Sequence, residues 1–137
     1  MEDEELLFEK ICNLRAGMRG VNVRFILLER RAAPFRTDSG HTLHPWLVAD
    51  DSASIELTLY DEHGEVFRGG DIVRIINGYC SLHRNILKLY VGTHGQVHRV
   101  GEFTMRYVEE PNMSQQASQP SSRPRESLRS GNEEPPG

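Results

Sequence analysis

The sequence has no long apolar run, and only two of its 137 residues are cysteine. No stretch approaches the roughly 20 apolar residues that span a bilayer, so we expect no membrane partner. Cys12 and Cys80 form no CxxC pair, and two well-separated cysteines in a chain without a leader are expected to be free thiols. The opening MEDEE is acidic, which argues against a secretory or mitochondrial leader. We therefore expect a soluble cytosolic or nuclear protein.

The sequence also lacks the motifs of common catalytic and metal sites. It contains no GxSxG, P-loop or GxGxxG motif. His41 and His44 have HxxH spacing, but no nearby cysteine or carboxylate cluster would complete a tetrahedral site, which favours surface histidines on a strand. Residues 50–51 (Asp-Asp) and 61–62 (Asp-Glu) lie at strand ends, where aspartates accept hydrogen bonds from the following amides. We predict a protein that is not an enzyme and needs no cofactor or metal.

The net charge of −4 is unevenly distributed along the chain. Residues 1–13 carry five acidic side chains against one lysine and hold the whole excess. Residues 14–110 contain 12 basic and 12 acidic side chains, and residues 111–137 contain three of each. A neutral domain neither demands nor excludes a polyanionic partner, because the important property is whether charges of one sign cluster on one face.

Composition divides the chain into the same three regions. Residues 111–137 have only three apolar side chains apart from proline, too few to offset the entropy of ordering, which predicts a disordered tail. Residues 1–13 form an acidic N-terminal extension, and the apolar residues between Leu6 and Leu14 indicate a short helical turn. Residues 14–110 are therefore predicted to form the folded domain.

The hydrophobic pattern of this domain has a period of two, which is typical of β-strands. Strands are predicted at 21–28, 41–48, 54–60, 71–77 and 85–91, with a turn at 38–40, a bend at 78–79 and a final apolar segment at 101–108. Five short strands with glycine-containing turns fit a small barrel, whereas an Ig-like sandwich needs more strands. No pattern of 3.6 residues supports an α/β fold. We predict an all-β, five-stranded OB-fold barrel.

Three tyrosines lie on the polar side of these strands, at Tyr60, Tyr79 and Tyr90. On an OB-fold, single-stranded nucleic acid crosses one sheet face, with its bases stacked on aromatic rings and its phosphates met by arginine and lysine. The basic residues considered for phosphate contacts are Arg24, Arg74, Arg84 and Lys88, with His83 in the same turn as Arg84. The alternative interpretation is that the tyrosines lie at the barrel rim with their rings half buried.

Six segments of the chain resemble the SOSS-B type single-stranded DNA-binding proteins of eukaryotes. They are LRAGMRGVN (14–22), VADDSASIELTLYD (48–61), GGDIVRIINGY (69–79), LKLYVG (87–92), GEF (101–103) and EPN (110–112). The resemblance runs from Leu14 to roughly Met113, about 100 of the 137 residues, in order and almost without gaps. The resemblance implies a single OB-fold that binds single-stranded DNA, followed by a flexible tail.

The same resemblance implies a biological setting and specific site residues. Proteins of this family act in the nucleus as the small subunit of a DNA damage response and repair complex. Their partners there are a large helical scaffold of the integrator subunit three type and a small additional subunit. Their base-stacking aromatics would fall at Tyr60, Tyr79 and Tyr90, with a fourth, usually phenylalanine, at His83. Their scaffold-binding edge would fall at Glu102 and Phe103.

Several residues depart from the family pattern. His83 offers less apolar area than phenylalanine, and its charge depends on pH near an ordinary pKa of about 6.5. Leu47 stands where the family has a basic residue. Pro45 removes a ladder N–H, which indicates a strand edge or bulge, and we interpret Trp46 as a core residue.

These departures and the neutral domain support a second hypothesis. In it, the OB-fold mainly docks a protein scaffold through Glu102 and Phe103, and nucleic-acid binding is weak or vestigial. The acidic residues before position 6 suggest a further hypothesis, in which they compete with DNA for a basic groove.

Overall fold

The computed structural model describes residues 7–102 and 104–117, which form six strands and three short helices. The strands are β1 (Arg19–Arg30), β2 (Phe35–Arg36), β3 (Thr42–Ala49), β4 (Ser54–Tyr60), β5 (Asp71–His83) and β6 (Ile86–Glu102). The helices are a 3-10 helix (Ile11–Asn13), α1 (Glu62–Glu65) and α2 (Met113–Ala117). None of these described helices is long and apolar enough to cross a membrane.

Five of the strands close into a barrel. β1 pairs antiparallel with both β3 and β5, and β5 pairs antiparallel with β6. β6 then pairs with β4 in parallel, and β4 pairs antiparallel with β3, which completes the circle. β2 adds only a short pairing to the start of β3. The all-β, five-stranded barrel predicted from the alternating sequence is confirmed.

The barrel interior is filled by the apolar residues of the period-two pattern. Ile55, Leu57 and Leu59 of β4 are completely buried, as are the inward residues of β1. Trp46 is only 3% exposed and belongs to the core, as predicted, with the Arg30 guanidinium 4.7 Å from the centroid of its ring. Cys80 is also buried, and this burial raises the pKa of its thiol to about 11.

The bend predicted at residues 78–79 is wrong, because β5 continues through it to His83. A β-bulge interrupts the register between Ile76 and Gly78, and Asn77 takes a φ of 64° there. Gly78 is needed for close packing rather than for a turn, since an added Cβ would lie 3.0 Å from the Tyr90 carbonyl oxygen. The chain turns instead at residues 84–85, whose positive φ values suit a two-residue hairpin.

β6 is also longer than the pattern predicted, because it runs on from residue 91 to Glu102. The predicted final segment at 101–108 is therefore a strand only in its first two residues. Residues 104–108 have no regular secondary structure, and Phe103 lies outside the described residues.

Pro45 lies inside β3, at the point where this strand changes partner. β3 pairs with β2 up to Leu43 and with β1 from Trp46 onward. The Pro45 carbonyl accepts a hydrogen bond from the Arg31 amide at 2.9 Å, which spans the gap between the two pairings. Because proline has no N–H, Pro45 cannot return this hydrogen bond, and the pairing of β1 with β3 ends at Arg30 and Trp46, which agrees with the irregularity that the sequence indicated.

The folded structure begins before residue 14, where the sequence placed the domain boundary. Ile11 is completely buried, and its amide donates to the Asp50 carboxylate at 2.9 Å. The other Asp50 oxygen accepts hydrogen bonds from the amides of Ser52 and Ala53, which is the turn-forming role predicted for residues 50–51. The predicted helical turn is present as the 3-10 helix at Ile11–Asn13.

The folded structure also continues past residue 110, into the segment predicted as a disordered tail. Met113 and Ser114 of α2 are buried against the barrel. The Ser114 hydroxyl donates to the Leu87 carbonyl and accepts from the Glu56 amide, and the Ser54 amide donates to the Pro111 carbonyl. A few specific contacts thus order residues 111–117 despite their polar composition. The rest of the predicted tail, 118–137, lies outside the described residues.

Truncation tests the role of α2 in stability. A chain that ends at residue 110 should unfold with a free energy about 2–4 kcal/mol lower than a chain that ends at residue 117. The loss reflects the exposure of the Met113 site and a buried Glu56 amide without its acceptor. Urea denaturation of the two truncated chains and the full chain provides the measurement. Equal stability of all three would show that α2 contributes nothing to the fold.

Candidate nucleic-acid interface

The three tyrosines predicted as stacking residues lie together on the outer face of β4, β5 and β6. Tyr79 of β5 is the cross-strand partner of Tyr90 on β6, and their rings stack with centroids 5.3 Å apart and planes 18° apart. Tyr90 is beside Thr58 in the parallel pairing with β4, and Tyr60 is two residues further along that strand. All three side chains are half-buried. The barrel therefore gathers them into one cluster, named here the tyrosine face.

The tyrosine face is partly shielded from water, which affects the phenol groups. Burial, together with the neighbouring Tyr60 and Tyr79, raises the pKa of Tyr90 to about 12. Burial and the nearby Tyr79 also raise the pKa of Tyr60. The phenols of Tyr60 and Tyr90 are therefore neutral at physiological pH, so they present uncharged aromatic rings.

A groove of about 310 Å³ runs beside the tyrosine face, between Tyr60 and Tyr79. The ring of His41 meets Tyr60 edge-on, with centroids 5.8 Å apart. The Nδ1 atom of His41 lies 2.9 Å from the Asp61 carboxylate, which also accepts a hydrogen bond from the Thr42 amide. His41 was interpreted from sequence as a surface histidine. Its contact with Tyr60 arises because β3 and β4 pair at this end of the barrel.

Lys88 lies beside Tyr90 on the same face, but its charge is already paired. Its ammonium is 3.1 Å from the Glu56 carboxylate, and both side chains are only 18% exposed. The two residues are partners in the parallel pairing of β4 with β6. Lys88 is therefore close enough to meet a phosphate, but Glu56 neutralises it in the free protein.

His83 and Arg84 lie at the tip of the β5–β6 hairpin. His83 ends β5 on the same side as Tyr79, about 13 Å further along the strand, and Arg84 occupies the turn. Both side chains are exposed. They can meet only a ligand that extends beyond the tyrosines toward the tip.

Arg24 and Arg74 are not brought to the tyrosine face. They are cross-strand partners on β1 and β5, about 16 Å along β5 from Tyr79. The Arg24 guanidinium lies 5.5 Å from the centroid of the Phe8 ring, and the residue is exposed. The pattern placed both residues on strands but did not fix how far along the strands they would lie.

Arg19 is a basic residue beside the tyrosines that the sequence reasoning missed. It is the cross-strand partner of Tyr79 at the start of β1, and it is exposed. The predicted first strand began at residue 21, so Arg19 was outside the strand in that prediction. The signal that would have identified it is the glycine that follows, since Gly20 has a φ of 65° and permits a bulge.

Glu102, predicted at the scaffold-binding edge, is the last residue of β6. It pairs with Asp71 at the end of the β5–β6 ladder that is far from the tyrosines. Its carboxylate lies 2.7 Å from the Arg99 guanidinium, which also binds Asp71 at 2.9 Å. The residue is exposed. Phe103, its predicted companion, lies outside the described residues.

Within residues 7–102 and 104–117, no three histidine, cysteine or carboxylate side chains group closely enough to hold a metal ion. His44 is buried, and the Arg30 guanidinium lies 3.4 Å from its Nδ1 atom, whereas His41 is exposed beside Asp61. The prediction of surface histidines is therefore right for His41 and wrong for His44, which lies against the barrel.

Solved structures show which fold this barrel represents. An OB domain from Thermoplasma acidophilum matches with a TM-score of 0.58 at 21% identity, covering 68% of this chain and 86% of that one. A domain of replication protein A from Methanococcus maripaludis matches with a TM-score of 0.59 at 18% identity, covering 71% and 99%. A hypothetical protein from Arabidopsis thaliana matches with a TM-score of 0.66 at 17% identity, covering 80% and 83%. The protein is an OB-fold protein.

Sequence comparison finds a relative with a known binding partner in its name. The single-stranded DNA binding protein Ssb of Saccharolobus solfataricus is 28% identical over 96 residues, which is 69% of this chain. The aligned part spans 65% of that relative's length. No family model matches the chain. The chain is therefore similar in sequence to a single-stranded DNA binding protein, while the narrower resemblance to the SOSS-B type stays a prediction.

The raised pKa of Tyr90 predicts how the stability of the protein changes at alkaline pH. A phenol whose pKa is about 12 when folded and 10.0 when unfolded keeps its proton better in the folded state. Its contribution to the free energy of unfolding is therefore complete below pH 10 and is lost as the pH rises toward 12. Tyr90→Phe removes this ionisation, so its stability should fall less steeply over that range.

Urea denaturation at a series of alkaline pH values compares the two proteins, and Tyr107→Phe is the control because Tyr107 is exposed. Parallel stability curves for wild type and Tyr90→Phe would show that Tyr90 is not shielded as described.

Proposed function

We propose that this protein binds single-stranded DNA on the tyrosine face, with bases stacked on Tyr60, Tyr79 and Tyr90. The observation that carries this proposal is the Tyr79–Tyr90 stack on the outside of an OB barrel, with Tyr60 on the adjoining strand. Tyrosines needed only for packing would point into the barrel, where Phe25, Trp46 and the aliphatic residues form the core. The similarity to a single-stranded DNA binding protein supports the same function.

Neutral rings on a half-buried face favour stacking over charge attraction. Stacking contributes roughly 1–3 kcal/mol per base and tolerates any base, since every base has a flat aromatic surface. The domain has no net charge, and Glu56 neutralises Lys88, so phosphate contacts are few. We infer a sequence-tolerant binder with a modest dependence on salt, acting by binding and not by catalysis.

The biological role that we propose follows from the SOSS-B resemblance. The protein acts in the nucleus as the single-strand-binding subunit of a DNA damage response complex. Its partners there are a large helical scaffold and a small additional subunit. The scaffold edge is proposed at Glu102 and Phe103, away from the tyrosine face, so one molecule can hold DNA and scaffold together. The second candidate is a docking subunit with vestigial DNA binding, and it is favoured by the exposed His83 and the scarcity of unpaired charge on the tyrosine face.

Tyr79→Ala should weaken binding to oligo-dT by roughly 5- to 150-fold, since it removes one stacking platform and the ring that supports Tyr90. Fluorescence anisotropy with labelled oligo-dT, oligo-U and a matched duplex gives the affinities. Tyr107→Ala is the matched control because Tyr107 is 44% exposed and lies outside the tyrosine face. It should bind as the wild type does.

The outcomes separate the two candidate functions. Binding of oligo-dT that exceeds duplex binding and depends on Tyr79 supports the single-strand binder. Flat curves for all three ligands at low salt would contradict it and favour the docking subunit.

Glu56→Gln should strengthen binding, because it releases Lys88 from its ion pair and adds one positive charge beside Tyr90. We expect a several-fold gain in affinity at low salt and a steeper salt dependence, by about 0.7 in the slope of log affinity against log salt. The same anisotropy titration at several salt concentrations measures both quantities.

Glu29→Gln is the control for this variant, since it also removes one carboxylate from an ion pair, here with Arg31. Glu29 is exposed near the end of β1, away from the tyrosines. A gain of equal size in both variants would reflect net charge alone. No gain in Glu56→Gln would show that Lys88 does not meet the bound strand.

A further inference from the structure

A second groove opens on the other side of Tyr79, toward β1. It encloses about 480 Å³ and is lined by Arg19 and Asn77, by His94, and by several glycines. Tyr79, Gly92 and Thr93 line both this groove and the one beside Tyr60. The two grooves are therefore neighbours that share these three residues, and together, named here the channel, they cross β4, β6, β5 and β1.

The floor of this second groove is backbone rather than side chain. Gly20 on β1 and Asn77 on β5 have φ values of 65° and 64°, so a bulge lies on each side of the groove. Gly92 and Gly95 of β6 carry no side chain to fill it. The Asn77 amide donates to the Asn22 side chain at 3.0 Å, which fixes the two bulged strands to each other. A flexible ligand can therefore approach the main chain closely here.

Arg19 stands at the end of this channel with its charge available. Its guanidinium makes no hydrogen bond or ion pair with the residues that the structure describes. Lys88, by contrast, is paired with Glu56 at the centre of the tyrosine face, and the exposed Arg84 lies at the hairpin tip, outside this groove. Arg19 is also in register with Tyr79 and Tyr90, so it continues their row across the sheet.

The span of the channel matches a few nucleotides. β4, β6, β5 and β1 are adjacent, so Arg19 lies three strand spacings, about 14 Å, from the strand that carries Tyr60. The tyrosines can stack the bases over most of this distance. The next phosphate then falls near Arg19.

We infer that a bound single strand continues past the tyrosines into the groove on the β1 side, where Arg19 contacts a backbone phosphate. This inference rests on the proposed function and specifies how the strand leaves the tyrosine face. Arg19 is a positioning residue for the strand, and it supplies a contact that is independent of base identity.

Arg19→Gln tests the inference in the full chain, with oligo-dT from the dinucleotide to about 12 nucleotides in competition against a labelled oligonucleotide. For the longer oligonucleotides we expect a loss of affinity of roughly 5- to 10-fold. The slope of log affinity against log salt should fall by about 0.7, which is the effect of one phosphate contact. The shortest oligonucleotides, held by the tyrosines alone, should bind equally to variant and wild type.

Arg68→Gln is the matched control, because Arg68 is exposed and precedes β5 at the end of the strand far from Tyr79. It should leave both affinity and salt slope unchanged. Arg19→Lys should restore most of the salt slope, which separates a phosphate contact from a structural role.

Each remaining outcome has a definite meaning. Equal binding by Arg19→Gln and wild type at every length would overturn the inference, while loss in Tyr79→Ala would leave the proposed function intact. An equal loss of affinity at every length would mean that Arg19 contacts the same nucleotides as the tyrosines. It would overturn the inference that the strand continues past them. Absence of binding by the wild type would defeat the proposed function itself.

Discussion

The parallel pairing of β6 with β4 is the constraint on which the candidate site depends. This pairing closes the barrel and places Tyr90 between Tyr79 on β5 and the strand that carries Tyr60. Without it, the three tyrosines would lie on separate parts of an open sheet. The aliphatic side chains inside β4 and β6 hold the closure, so the core and the tyrosine face are two sides of the same strands. A substitution that loosens the core of these strands should therefore also disturb the positions of the tyrosines.

The arrangement of charge around the tyrosines complements their stacking role. Glu56 pairs with Lys88 at the centre of the face, and Arg24 packs on Phe8 at a distance from it. The tyrosine face thus carries no net charge from these residues. Available positive charge lies at Arg19, at the β1 end of the channel, and at the hairpin tip to one side of it. Such an arrangement suits a ligand that is held by its bases and guided by its phosphates.

The alternating pattern predicted the barrel well because each barrel strand has an inner and an outer face. Ile55, Leu57 and Leu59 show this directly, since all three are buried as the period of two requires. The pattern also placed the tyrosines on the outer side of their strands. It could not predict that Tyr79 and Tyr90 would be stacked, because that depends on the register of two strands.

Other features depended on local irregularities or on contacts between distant residues. The bulge at Asn77 shifts the register of β5, so residues before and after it obey different alternations. Arg19 joins Tyr79 only through that shifted register. The hydrogen bond from the Glu56 amide to the Ser114 hydroxyl joins residues 58 positions apart, and composition gives no sign of it. These features explain why the site was predicted in outline but its cations and the domain ends were not.

The measurement that tests the central claim most directly is the chemical-shift perturbation of backbone amides in the full chain on addition of oligo-dT. If the account is right, the largest changes will lie on β4, β5 and β6 around Tyr60, Tyr79 and Tyr90, and will extend to Arg19 and Gly20. Changes centred on Glu102, or no changes at saturating oligonucleotide, would contradict it.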